Sequence, residues 1–416
     1  MCVLRRPEAL LNPQLHAEDG SRWFVQAYHN GAYAFWLPAG GYYQTFSRSV
    51  AATAQRVPLE RVPLYFNALA LLVEILPPLF LLGGRFQDVL PSRRWRLANA
   101  LLWIAVPASF ETRLNVTNSM THLGLLALLV LVADPPLTVA AATTDILALG
   151  VAGISGPFVM FQAPLAAAIA WSRRTRSAIA YATITIALAA LQASTFLRAS
   201  EDRTKAALGA SVPLFFRIVG GNVFTAGLIG VRGYRTLRRY HVLDALLVPV
   251  LGLAAIAFLG YCMARGPRAL RHLVLFGSLV LAAALYRPQV SPTPPQWDVL
   301  VGPGSGNRYF TPILIALVTS VAWAAFRAPS RLPRNAARIF LALLLSIGIP
   351  VDFRDRRQPD LHWADQVARF RAAPPGTRVH FDILPEPWSF GLVKPWDAGR
   401  SDRGPSHAAP EPPTQR

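Results

Sequence analysis

Two adjacent carboxylates, Glu18 and Asp19, stand in an aromatic, glycine-rich stretch that runs from His16 to Ala52. A carboxylate so placed can take the proton from an acceptor hydroxyl during group transfer. The surrounding tyrosines, tryptophans and phenylalanines offer flat faces for a sugar ring and an amphipathic surface for a membrane. A plainer role is open to the same residues: Asp19, just before Gly20, would cap a helix over Ser21 to Asn30.

Other polar groups gather at three further places. In GPGSGNRYFTP, Gly302 to Pro312, small residues lead into Arg308 and Tyr309. A glycine-rich turn with an arginine fork suits a phosphate, although the spacing is neither a P-loop nor a Rossmann fingerprint. The alternative is a flexible loop followed by an interfacial Arg-Tyr anchor. In ETRLNVTNSMTH, Glu111, Asn118 and His122 lie between two short apolar segments, where they would line a pocket or form an ordinary solvated loop. Trp388, in LPEPWSFGL, is placed to stack on a sugar or, more simply, to pack its segment onto the membrane surface. Glu74 sits inside an apolar run, at a depth where an acid faces the protein interior. The histidines show no metal-binding spacing and Cys2 and Cys262 lie far apart, so no metal site and no disulfide framework is expected.

The elements that must position these groups are hydrophobic helices. The 416 residues are 53% hydrophobic and 15% charged. Mean hydropathy is +0.34, and the apolar residues come in blocks. About ten spanning or partly spanning helices are expected: Pro63–Leu82, Ala98–Phe110, His122–Ala133, Leu137–Gly153, Pro157–Trp171, Ala178–Leu197, Val242–Met263, His272–Tyr286, Thr311–Phe326 and Ala336–Val351. The net charge of +19 is almost entirely arginine, set in short runs between the blocks. The positive-inside rule accounts for that pattern without nucleic acid. Arg85, Arg93, Arg94 and Arg96, then Arg173, Arg174 and Arg176, then Arg327, Arg331, Arg334 and Arg338 fall on one side by parity. That side is read as cytoplasmic.

The reading divides the chain into an outer amphipathic loop (1–62), a transmembrane domain (63–351), a small outer α/β lobe (352–396) and a proline-rich disordered tail (397–416). Alternating Val379, Phe381 and Ile383 predict a strand in the lobe. Phe215 to Val231 is apolar but glycine-rich, and parity holds only if it is re-entrant or interfacial. That places Arg232, Arg235, Arg238 and Arg239 on the outer side, against the charge rule, which marks them as functional.

An acidic pair in a first outer loop, a Tyr- and Gly-rich stretch, many hydrophobic spans and a small outer lobe together resemble the GT-C superfamily of membrane glycosyltransferases. The resemblance implies a polyprenyl-phosphate-linked sugar donor and a location in the bacterial inner membrane. It also implies an inverting transfer with Asp19 as first and Glu18 as second candidate base. Arg308, with Arg232 or Arg235, would hold the phosphate. No cofactor is expected, although some members place a divalent cation beside the acidic residue. The family carries a transmembrane helix ahead of the acidic loop. None precedes Glu18 here, so the helix is expected upstream, lost, or supplied by a partner. The alternatives are a transporter or lipid flippase that uses Glu74, and a non-catalytic membrane scaffold.

Overall fold

The computed structural model describes residues 1–87, 89–199 and 204–396; the expected disordered tail lies outside the described residues. A helical bundle carries a small lobe at one end. Its helices are α1 (Val62–Leu81), α2 (Arg93–Ala105), α3 (Ser119–Val132), α4 (Val139–Gly153), α5 (Phe158–Arg173), α6 (Arg176–Arg198), α7 (Val212–Leu237), α8 (His241–Arg265), α9 (Arg268–Tyr286), α10 (Asn307–Arg327) and α11 (Arg331–Asp352).

Local chemistry sets many of the ends. Pro63 occupies the first turn of α1, where its missing N–H costs nothing. The side chains of Ser92, Thr138, Thr175 and Ser211 accept N–H groups at the starts of α2, α4, α6 and α7. Several helices run past the apolar blocks into flanking arginines, as at Arg93, Arg176, Arg268 and Arg331. Arginine has a long apolar stem that lets its charge reach water while its backbone stays helical.

Among the described residues seven helices are long and apolar enough to cross a membrane, and the protein is a helical membrane protein. α2, α3, α4 and α5 are shorter, at 13 to 16 residues. α3 is buried on nearly every side from Leu123 to Val132, and it packs against α1, α4 and α5.

α7 satisfies the length criterion but does not run straight. Its centre, Val219–Thr225, is a π-helix, and Gly230 leaves the helix at φ 78°, ψ 164°. In a straight helix Gly221 and Tyr234 would stand about 20 Å apart. Here a Cβ on Gly221 would collide with the Tyr234 hydroxyl. Arg217 and Arg238, from the two limbs, both pair with Asp244. The segment therefore folds back on itself, as its glycines and the parity of the neighbouring spans suggest.

The two ends of the bundle differ. At one, Arg85 donates to the Asp134 carbonyl at 2.7 Å and pairs with Asp145 at 2.7 Å. Arg173 closes the end of α3 by donating to the carbonyls of Leu131, Val132 and Ala133. At the other end lie the N-terminal segment, the α2–α3 connection and the lobe. The lobe pairs β1 (Arg378–Asp382) antiparallel with β2 (Ser389–Val393) under the helix Trp363–Ala372. Phe381 and Phe390 stack at 5.3 Å, with Trp363 against both. These rings form one cluster with Trp23, Phe24 and Phe66, so residues 1–62 and 352–396 share a core.

Candidate functional site

Segment 16–24 is fixed from both sides. Its backbone bridges to the lobe, with Ala17 N–H donating to the Leu384 carbonyl and Leu384 N–H to the Leu15 carbonyl. Asp19 is 0% exposed. Its carboxylate accepts the Val116 N–H at 3.0 Å, the Thr117 N–H at 2.7 Å and the Thr117 hydroxyl at 2.7 Å. Burial pushes its pKa up to about 7, against the pull of those donors, and neighbouring Glu18 adds a small rise. The helix-cap alternative does not occur: Asp19 opens a π-turn, Asp19–Phe24, and its side chain caps nothing there. Among the described residues no group of three or more His, Cys, Asp or Glu is placed to hold a metal ion.

Glu18 is only partly buried. It lies within electrostatic reach of Arg308, at the start of α10. Glu111 Oε2 accepts the Arg308 backbone N–H at 3.1 Å and the guanidinium at 3.2 Å. The Arg308 and Glu111 side chains are 31% and 21% exposed, so this pair is partly exposed. The guanidinium lies 4.7 Å from the Tyr309 ring and donates to the Gln289 carbonyl at 2.6 Å. The Tyr309 hydroxyl accepts the Gln289 N–H at 2.9 Å. A helix-terminal N–H and a guanidinium converging on one carboxylate oxygen are the donors an anionic phosphate oxygen takes.

His16 belongs beside this group, although its sequence neighbourhood gives no sign of it. Its Nδ1 is buried without a partner. Burial first, then the charges of Arg6 and Arg308, lower its pKa to about 3, so the ring is neutral at physiological pH.

The glycine-rich loop is pinned rather than free. Asn222, in the π-turn of α7, donates to the carbonyls of Leu300 and Gly302 and accepts the Gly304 N–H at 3.1 Å. Asn118 and His122 are tied inward: Asn118 donates to the Glu111 carbonyl, and His122 Nε2 lies 2.8 Å from the Thr112 carbonyl. They shape the loop that carries Glu111. Trp388 packs against the lobe core. Arg232 bonds to the Arg354 carbonyl (3.0 Å), just past the end of α11, and Arg235 to the Pro303 carbonyl (3.4 Å), in the glycine-rich loop that leads into Arg308.

A second charged cluster lies beneath. Arg5, Arg6 and Arg113 are almost fully buried, with Glu74 at 6% exposure. Arg5 and Arg113 both donate to the Ile104 and Val106 carbonyls, and Arg5 also reaches the Asp352 carbonyl. Glu74 accepts the Leu114 N–H at 3.1 Å. Beside it is a cavity of about 30 Å³, lined also by Arg113, His122 and Thr311.

Comparison with family models, curated proteins and solved structures found no match.

Proposed function

We propose that this protein is an integral membrane glycosyltransferase that moves a sugar from a polyprenyl-phosphate donor to an acceptor hydroxyl. The reaction would take place at the end of the bundle that carries the lobe. The supporting observation is the open group of Glu18, Glu111 and Arg308, in which a carboxylate sits near an anion seat. In this reading Glu18 takes the acceptor proton. The acceptor oxygen attacks the anomeric carbon, the bond to the phosphate oxygen breaks, and its electron pair leaves with the phosphate. Inversion follows from direct displacement. Arg308 and its backbone N–H stabilise the departing charge, with Glu111 holding their place until the donor displaces it. Partial exposure favours Glu18 over Asp19 as the base, and Asp19 then anchors the segment that presents it. The arginine-rich end faces the cytoplasm and the reacting end the outer leaflet of a bacterial inner membrane.

The test is transfer in proteoliposomes holding the full chain, a panel of radiolabelled polyprenyl-phosphate sugars and an envelope lipid and glycan extract. Label moving from one donor to an acceptor supports the reading. Intact donor throughout, with the protein folded, contradicts it.

A further inference from the structure

A patch of arginine at the lobe-bearing end is given no role in the reaction proposed above. Arg232, Arg354 and Arg356 are exposed and Arg235 is partly so. They belong to one patch: Arg232 donates to the Arg354 carbonyl, and Arg235 feels the charges of Arg232 and Arg356. The nearest acids offset only part of this charge: Asp352 lies within electrostatic reach of Arg235 but is held on backbone N–H groups. Asp352 Oδ2 accepts the backbone N–H of Ala108 at 3.0 Å and of Val231 at 3.1 Å. Asp355 faces buried Arg113. The patch also lies at the end opposite Arg85 and Arg173, where a membrane protein does not otherwise concentrate arginine.

Its surroundings identify the ligand. The returning limb of α7 carries Arg232 and Arg235 and packs against the last turns of α11. α8 and α11 are among the least buried candidate spans, at 28% and 22%. Exposed Val242, Leu246 and Leu345 lie on them, and Tyr240 stands exposed at the start of α8. Cationic groups above an apolar, lipid-facing wall match a molecule with an anionic head and acyl tails. We propose that Arg232, Arg235, Arg354 and Arg356 seat the phosphate of an anionic phospholipid from the surrounding leaflet. The proposal does not rest on the glycosyl-transfer reading.

The test uses the full chain in phosphatidylcholine nanodiscs titrated with photoreactive phosphatidylglycerol, with crosslinks mapped to peptides. Labelling of residues 228–240 and 345–357 is expected. In the double variant Arg232→Gln/Arg356→Gln the midpoint should rise on the order of fivefold per arginine, about 25-fold in all. The control Arg331→Gln/Arg334→Gln, with the same charge change at the opposite end, should leave it in place. Matching elution and melting would show both variants folded. Equal labelling in the double variant, or by photoreactive phosphatidylcholine, overturns the proposal. So does competition by glycerol phosphate as strong as by phosphatidylglycerol, which assigns the patch to a soluble anion. Displacement by polyprenyl phosphate at lower concentration than phosphatidylglycerol also overturns it, in favour of the donor lipid.

Discussion

Two arginine–carboxylate clusters lie near the same end of this protein, and they are built differently. Around Arg5, Arg113 and Glu74 the charges are sealed, with guanidinium groups spent on backbone carbonyls. Arg5 is 1% exposed. Around Glu18, Glu111 and Arg308 the groups are partly exposed. Buried charges need every partner they have, so the first cluster can hold loops together but has little freedom to exchange them. In the proposed reaction the second would trade its carboxylate for the donor phosphate at small cost. Residue type alone does not separate them; exposure and the identity of the acceptors do.

The contrast can be broken by mutation. Arg113→Met removes a guanidinium that faces Asp355 and bonds Ile104 and Val106, and should cost about 3–5 kcal/mol of stability, read as a large drop in thermal midpoint. A midpoint within a degree of wild type would put the sealed cluster in doubt. Arg308→Gln should leave the midpoint nearly unchanged and slow sugar transfer roughly 10²–10³-fold, the usual effect of losing one charge-stabilising donor. Unchanged transfer would remove Arg308 from the reaction.

Asp19→Asn places an amide donor against other donors and should cost about 1–3 kcal/mol. It carries a pH signature as well. The folded pKa of about 7 lies above the ordinary 3.8. The folded chain therefore holds the Asp19 proton after the unfolded chain has lost it. Its contribution to stability falls as pH rises from about 4 to about 7 and is flat above that. Melting curves from pH 5 to 8 should show this slope in wild type, and less of it in the variant. The smallest effect belongs to Glu111→Gln, which frees the anion seat from its carboxylate. A partly exposed pair of this kind is worth on the order of 1 kcal/mol, so apparent donor affinity should tighten only a few-fold; weaker binding would make Glu111 a substrate contact instead.

Much of the bundle is legible in the sequence, because spans announce themselves as apolar blocks broken by arginine. The break in α7 is legible in part, through the glycines of its apolar run. The lobe strand over Val379 and Phe381 follows from simple alternation. The site is legible only in parts. Glu18, Glu111 and Arg308 each stand out locally, but Glu111 and Arg308 are 197 residues apart in the chain and nothing local pairs them. Arg5 and Arg6 carry no local sign of their place in the fold, where they are buried in the sealed cluster. The same limit explains Asp19. Its type suggested a base, while its role as an acceptor for Val116 and Thr117 depends on a connection that turns inward at Ala108 and Leu114, both at positive φ.

The most direct measurement sets Glu18→Gln beside Asp19→Asn in the proteoliposome transfer assay, with folded protein matched by melting and elution. The account predicts that Glu18→Gln melts like wild type and loses roughly 10²–10⁴-fold in transfer. Asp19→Asn should melt earlier and keep most transfer per folded molecule below its melting range. Transfer abolished by Asp19→Asn and retained by Glu18→Gln would contradict the account and return the base to Asp19.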